Sequence, residues 1–237
     1  MIKFKGKVVK GSFIKRYKRF FVDAKLENGE VIVAHTPNTG SMKGLLIEGS
    51  AVLLSYDPNP KRKLDYSLQA ICSDGAWVGV NTQLPNALIT QAIENGEIEQ
   101  LTGYEKIKRE VKYGREGKSR IDVFLSEHKD KKPDVFVEVK NVTLKENGCA
   151  MFPDAVTKRG LKHLEELIDV VKNGDRAMMI FLVQRTDCNA FRTATKIDRD
   201  YAEALKKAKT GNVEIICLVA HVNEDGVELS GSLPIYL

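Results

Sequence analysis

Ser119-Arg120-Ile121-Asp122-Val123-Phe124-Leu125, followed across the polar stretch 127–133 by Val135-Phe136-Val137-Glu138-Val139-Lys140, decides how the rest of this chain is read. Side chains alternate between the two faces of a strand, so Glu138 and Lys140 point one way and Val137 and Val139 the other. A polar face on an otherwise apolar strand breaks the local pattern, and such breaks are expected at functional sites. If the two segments pair as a hairpin, Asp122 lies beside Glu138. Adjacent carboxylates repel unless a cation sits between them. Hard oxygen ligands point to Mg²⁺ or Mn²⁺, with Lys140 placed to orient a water or to stabilise charge on a phosphate. The alternative is a solvated sheet face with cross-strand ion pairs. Glu-x-Lys alone is a weak signal in a chain with 29% charged residues, and Glu110-Val111-Lys112 is a second copy with no Asp within the 20 residues upstream.

Working outward, the spacing of Leu88, Ile89, Ala92 and Ile93 after Pro85 predicts a helix that stops at Asn95-Gly96. Strands are expected over 106–113, 120–125 and 134–142, with a turn at 114–117 between the first two. An amphipathic helix follows over about 154–172, with Asp154 as its N-cap and Leu161, Leu164, Ile168 and Val171 on one stripe. The apolar run 177–183 reads as a buried strand, 198–209 as a helix and 213–219 as a last buried strand. The order α-β-β-β-α-β-α-β predicts an α/β domain with a mixed sheet over 83–237.

Residues 1–82 read differently. Strand-like segments at 2–9, 16–26, 30–35, 51–56, 64–71 and 76–80 are separated by turn signals such as Asn28-Gly29 and Asp74-Gly75. Six short strands in so short a span predict a small OB-like β-barrel, with Trp77 in its core. The fold class is thus α+β, a barrel followed by a mixed-sheet domain.

The 237 residues carry a net charge of +5, yet residues 1–82 alone hold thirteen Lys/Arg against seven Asp/Glu. This excess suggests a polyanion-binding module joined to a neutral one. Composition excludes collagen-like, disordered and disulfide-scaffold classes. The longest apolar run falls far short of the ~20 residues that span a bilayer, and Met1-Ile2-Lys3-Phe4-Lys5 has no signal-peptide core, so a cytoplasmic protein without membrane contact is expected. Cys72, Cys149, Cys188 and Cys217 lack zinc-finger spacing, and His35, His128, His163 and His221 read as structural.

The order of Asp122 and Glu138-Val139-Lys140 on successive strands resembles the PD-(D/E)XK nuclease superfamily. That resemblance implies a restriction-endonuclease-like domain in which Asp122, Glu138 and the carbonyl of Val139 bind the metal and Lys140 assists the attacking water. It offers Glu110 as an extra carboxylate and Gln184 as an added amide. A proline usual before the Asp is replaced by Ile121. A wider resemblance covers nearly the whole chain. His35-Thr36-Pro37-Asn38-Thr39-Gly40-Ser41-Met42, Val80-Asn81-Thr82, Glu110-Val111-Lys112-Tyr113-Gly114, Glu138-Val139-Lys140-Asn141-Val142-Thr143-Leu144 and Phe152-Pro153-Asp154-Ala155-Val156-Thr157 resemble the sugar fermentation stimulation protein A (SfsA) family. It implies non-specific DNA binding with a regulatory link to sugar metabolism.

Candidate DNA contacts follow. Arg16, Lys18 and Arg19 flank Tyr17, Phe20 and Phe21, which suits a phosphate track with base stacking, or equally a charged outer barrel strand. Lys61 and Arg62 form a basic loop with Lys63. Asn38, Thr39 and Ser41 offer amides and hydroxyls to a phosphate, and Lys158 and Arg159 start the long helix. Two readings stand: DNA binding with a working Mg²⁺- or Mn²⁺-dependent nuclease, or DNA binding on a catalytically silent nuclease fold.

Overall fold

The computed structural model describes residues 1–114 and 117–237, so Arg115 and Glu116 of the expected 114–117 turn lie outside the described residues. The expected strand over 2–9 is two strands. β1 (Ile2–Lys3) ends before Gly6, which has φ +86° and approaches Tyr56 so closely that a Cβ there would lie 2.2 Å from its carbonyl oxygen. β2 (Lys7–Tyr17) then begins the barrel with β3 (Phe21–Leu26), β4 (Val31–His35), β5 (Ala51–Tyr56), β6 (Tyr66–Ser73) and β7 (Ala76–Gly79). The ladder runs β4-β3-β2-β5-β6-β7, and a parallel pairing of β4 with β6 at Ala34↔Tyr66 closes it. This is an OB barrel, and the alternation of its strands explains its core. Val22, Ala24, Ile32, Ala34, Val52 and Leu54 fill the inside.

β5 is buried along nearly its whole length because both of its faces are covered. Leu53, on the opposite face from Val52 and Leu54, joins Ala70 in a second core shared with the rest of the chain. Trp77 packs there as well, not inside the barrel as expected, because Val78 takes the inward position and alternation turns Trp77 outward.

The second part runs α1 (Leu84–Glu94), a 3-10 turn at Glu99–Leu101, then β8 (Tyr104–Tyr113), β9 (Ser119–His128), β10 (Val135–Val142), β11 (Leu144–Glu146) and β12 (Cys149–Phe152). α2 (Lys158–Lys172), β13 (Arg176–Val183), β14 (Ala190–Thr193), α3 (Arg199–Thr210), β15 (Glu214–Val222), β16 (Gly226–Ser232) and β17 (Ile235–Tyr236) complete it. The large sheet has the order β1-β16-β15-β13-β10-β9-β8 and is mixed, as expected. β10, β13 and β15 are parallel at its centre, and α2 and α3 carry the crossovers. β13 is apolar along nearly its whole length because both its faces are covered. β1 precedes the barrel in sequence but pairs with β16 at the far edge of this sheet, so the expected unit 1–82 gives up that strand. β11, β12, β14 and β17 make a small separate sheet that strand alternation alone did not reveal.

The long helix starts later than expected. Thr157 is its N-cap, accepting from the Gly160 N–H at 3.0 Å. Asp154 lies outside the helix, where its carboxylate accepts from Ser41 at 2.7 Å.

Candidate active site

The β9–β10 ladder pairs Leu125, Phe124 and Val123 with Val135, Phe136 and Val137, and the pairing ends there. At the next step a side chain replaces the backbone: Oδ2 of Asp122 accepts the Val139 N–H at 2.7 Å. The N–H and C=O of one strand residue leave on the same edge, so the Val139 carbonyl opens on the Asp122 side. Oδ1 of Asp122 accepts from Asn86 Nδ2 at 2.7 Å, which ties the first turn of α1 to the site. Glu138, 2% exposed, faces α2. Its Oε1 accepts from Lys140 Nζ at 2.6 Å and from His163 Nδ1 at 2.5 Å, while its buried Oε2 has no donor among the described residues. These groups line a cleft of about 240 Å³, together with Thr82, Asn141 and Arg159.

The two carboxylates differ in their electrostatics. Burial, and then the charge of Glu138, push Asp122 up to about 6, against the pull of the Val139 N–H, Lys140 and Asn86. Burial also works to raise Glu138, but Lys140 and His163 outweigh it and hold that carboxyl below its ordinary range. One lysine thus serves two carboxylates. Among the described residues, no group of three or more His, Cys, Asp or Glu side chains is arranged to hold a metal ion. Two carboxylates and a backbone carbonyl, with an undonated buried oxygen, nevertheless match the way Mg²⁺ is held through one or two carboxylates and its own waters.

The other expected site residues are placed as follows. Glu110 lies between Arg109 and Val111, which pair with Val123 and Ile121, and has a left-handed φ of 55°, but it is exposed and does not line the cleft. Gln184 does not reach the carboxylates. It is fully buried at the end of β13, donating to Asn141 at 2.7 Å, with its amide against Gly79 of the barrel. Arg159 lines the cleft and Lys158 does not, although both are exposed in the first turn of α2.

Arg16 serves structure. Its guanidinium donates to the carbonyls of Asn38 (2.7 Å), Gly40 (2.9 Å) and Arg19 (2.8 Å), clamping the 38–40 loop to the β2–β3 turn. Lys18 and Arg19 occupy that turn with φ 48° and 63°, so the strand expected over 16–26 is broken there and the three basic residues do not form one track along it. Lys18 and Arg19 are exposed, as is Lys61. Arg62 bonds Ser67 at 2.6 Å and Asp57. Asn38 is buried and holds the Gly40 N–H, Thr39 is exposed, and Ser41 reaches Asp154. This loop, Thr82 and Asn141 border a cavity of about 270 Å³ that adjoins the carboxylate cleft. Sequence reasoning missed Asn86 and read His163 as merely structural. A histidine beside Leu164 on the buried stripe of α2, one turn after Arg159, was the available signal.

The fold and cleft define a class: an OB barrel fused to a mixed-sheet α/β domain with a carboxylate-lysine site on its central strands. Residues 83–226 match the sugar fermentation stimulation protein RE domain, and residues 14–80 match the SfsA N-terminal OB domain. The chain belongs to the sugar fermentation stimulation protein (SfsA) family. Among its curated relatives is a sugar fermentation stimulation protein homolog of Geobacter sulfurreducens, 48% identical over 95% of this chain and 94% of that one. The homolog of Paramagnetospirillum magneticum is 45% identical over 98% and 97%. A solved structure, Pyrococcus furiosus SfsA in complex with Ca²⁺, superimposes with a TM-score of 0.88 at 28% identity, covering 100% of this chain and 98% of that one.

Proposed function

We propose that this chain is a divalent-cation-dependent phosphodiesterase that holds DNA through its barrel without regard to base sequence and cuts it at the Asp122–Glu138 cleft. The observation that carries this reading is the shortage of positive charge. Two carboxylates share one lysine, one carboxylate oxygen is buried without a donor, and the other carboxyl is pushed up to about 6 by burial and its neighbour's charge. The Ca²⁺ named with the Pyrococcus relative supports a cation of the same hard class here. Asp122, Glu138 and the Val139 carbonyl would hold Mg²⁺ or Mn²⁺, which when bound polarises a phosphoryl oxygen and acidifies a water.

Around that position each residue has its own task. The Val139 N–H and Asn86 fix both oxygens of Asp122. Lys140 directs its ammonium into the cleft from beside Glu138, where it orients a water and offsets charge on the phosphate. Arg159 lines the same cleft and presents a guanidinium to a phosphate oxygen. In hydrolysis the attacking water gives one proton to solvent, its oxygen bonds to phosphorus and the bridging P–O bond breaks. The departing oxygen keeps the electron pair and takes a proton from solvent.

The barrel's charge favours a polymer substrate over a small phosphorylated ligand. The cavity beside the 38–41 loop abuts the carboxylate cleft, which gives a strand a path between the two. Lys18, Arg19 and Lys61 supply sequence-independent phosphate contacts on the barrel. No helix among the described residues is long and apolar enough to cross a membrane. A DNA substrate fits the expected cytoplasmic location.

The test is cleavage of labelled single- and double-stranded DNA with Mn²⁺, Mg²⁺ or EDTA, with DNA binding measured in the same tubes. Metal-dependent cutting that is lost in Asp122→Ala and Lys140→Ala is the expected result. Binding without cutting in any metal, unchanged in both variants, would leave a DNA-binding protein on a silent nuclease fold.

A further inference from the structure

His163 sits on α2, 4% exposed, between two groups of opposite demand. Its Nδ1 lies 2.5 Å from Oε1 of Glu138. Its Nε2 lies 3.4 Å from the Nε of Arg159, one helical turn earlier. A carboxylate only accepts and a guanidinium only donates. The ring hydrogen therefore belongs on Nδ1, and Nε2 presents its lone pair to Arg159. The other tautomer would set a lone pair against a carboxylate oxygen and an N–H against a guanidinium. The two neighbours together select one tautomer and one ring orientation.

We infer that His163 is a positioning residue that fixes which oxygen of Glu138 is offered to a divalent cation and holds Arg159 at the rim of the same cleft. This rests on reading the cleft as a metal site. Lys140 and His163 both donate to Oε1, and Oε2 is left without a donor. With Lys140 alone, the carboxylate is free to turn about its last torsion, which is broad for glutamate, and its two oxygens become interchangeable. His163 removes that freedom. At its other nitrogen it meets the Nε of Arg159, whose side chain lines the same cleft. One buried ring thus orients both a metal ligand and a phosphate contact. Partners of this kind behind a ligand commonly carry 10–100-fold in metal affinity.

The experiment is calorimetric titration of the full chain with Mn²⁺ after EDTA treatment, beside fluorescence anisotropy of a labelled oligonucleotide in EDTA, with a thermal melt of every variant. His163→Ala is expected to weaken Mn²⁺ binding by about 10–100-fold. His163→Asn, whose amide nitrogen takes the place of Nδ1, is expected to regain most of that loss. His163→Gln, whose amide extends toward the Nε2 position, is not. A purely structural role would move the melts of Asn and Gln variants alike and would not separate their Mn²⁺ affinities. If His163→Ala does not fold, the Asn and Gln pair carries the test. Mn²⁺ binding by the wild type that is equal within twofold in the Asn and Gln variants overturns the positioning role and leaves the metal site standing. No Mn²⁺ binding by the wild type overturns the metal site and this inference with it. Asp122→Asn is the reference for a lost site.

Discussion

One ion cluster joins the barrel to the mixed-sheet domain and another lies within that domain, and they are built to opposite ends. In one, Asp187 receives Arg185 at 2.6 and 2.7 Å and Lys145 at 2.5 Å, and Lys145 also meets Asp74 of the β6–β7 turn at 2.9 Å. Two cations serve two carboxylates. Burial works to raise Asp187, but Arg185 and Lys145 bring it down to about 2. In the other, Asp122 and Glu138 share Lys140, Asp122 rises to about 6, and Oε2 of Glu138 has no donor. The balanced cluster latches the barrel turn to the mixed-sheet domain. The unbalanced one is stable only because the surrounding fold holds it, and such stored disfavour is a mark of function.

This contrast breaks most sharply under mutation. Asp187→Ala leaves the buried Arg185 without its near carboxylate and Lys145 with Asp74 alone, and should cost about 3 kcal/mol, the low end for breaking a buried pair. For a chain of this size that is a fall in Tm of roughly 6–12 °C, measured by calorimetry, with the Mn²⁺ titration unchanged. An unchanged Tm would show the latch to be ornamental.

Acid should find the latch next. The Asp187 carboxyl is depressed from 3.8 to about 2, so its contribution is present above about pH 4 and lost as pH falls toward 2. About 1 kcal/mol of acid-sensitive stability, discounted for the solvent that screens this partly exposed carboxylate, should vanish from Asp187→Asn when urea midpoints are compared at pH 5 and pH 2.5. Equal pH dependence in the two proteins would contradict that assignment.

Asp122→Asn sharpens the other side. It relieves repulsion from Glu138, so the Tm in EDTA should hold or rise by about 1–3 °C, a gain of less than 1 kcal/mol. The increase in Tm on adding Mn²⁺, expected for any ion that binds only the folded chain, should disappear. A large loss of stability in EDTA would make Asp122 structural and place both clusters in one class.

The smallest effect belongs to the barrel. Lys18→Ala and Lys61→Ala should each weaken DNA binding evenly across sequences and lower the salt slope of log K by about 1. Anisotropy at several salt concentrations would detect it, and unchanged slopes would remove these lysines from the path of the strand.

The mixed sheet was legible because its strands carry strong patterns. Alternation in 119–125 and 135–140 and the apolar run 177–183 mark strands without help from tertiary context. Asp122, Glu138 and Lys140 were legible for the same reason, being polar groups on an otherwise apolar face. What was hidden depended on contacts distant in sequence. Nothing local says that Arg16 reaches the carbonyls of Asn38 and Gly40, that Lys18 and Arg19 turn at positive φ, or that Asp154 caps no helix and meets Ser41 instead. The small sheet escaped because its strands are only two to four residues long, too short to establish a period. His163 escaped because a buried histidine declares a role only when its two neighbours are known.

The face of β5 that carries Leu53 has a consequence for how the molecule comes apart. Leu53 and Ala70 of the barrel share one apolar cluster with Val123, Val137 and Met178 of the large sheet, and β1 is stitched to β16 at Ile2↔Val227. The barrel cannot be lifted out as a portable module without exposing that cluster to water. The two parts should therefore melt in a single cooperative transition. A chain still emerging from the ribosome would hold its second residue unpaired until residue 227 had been made.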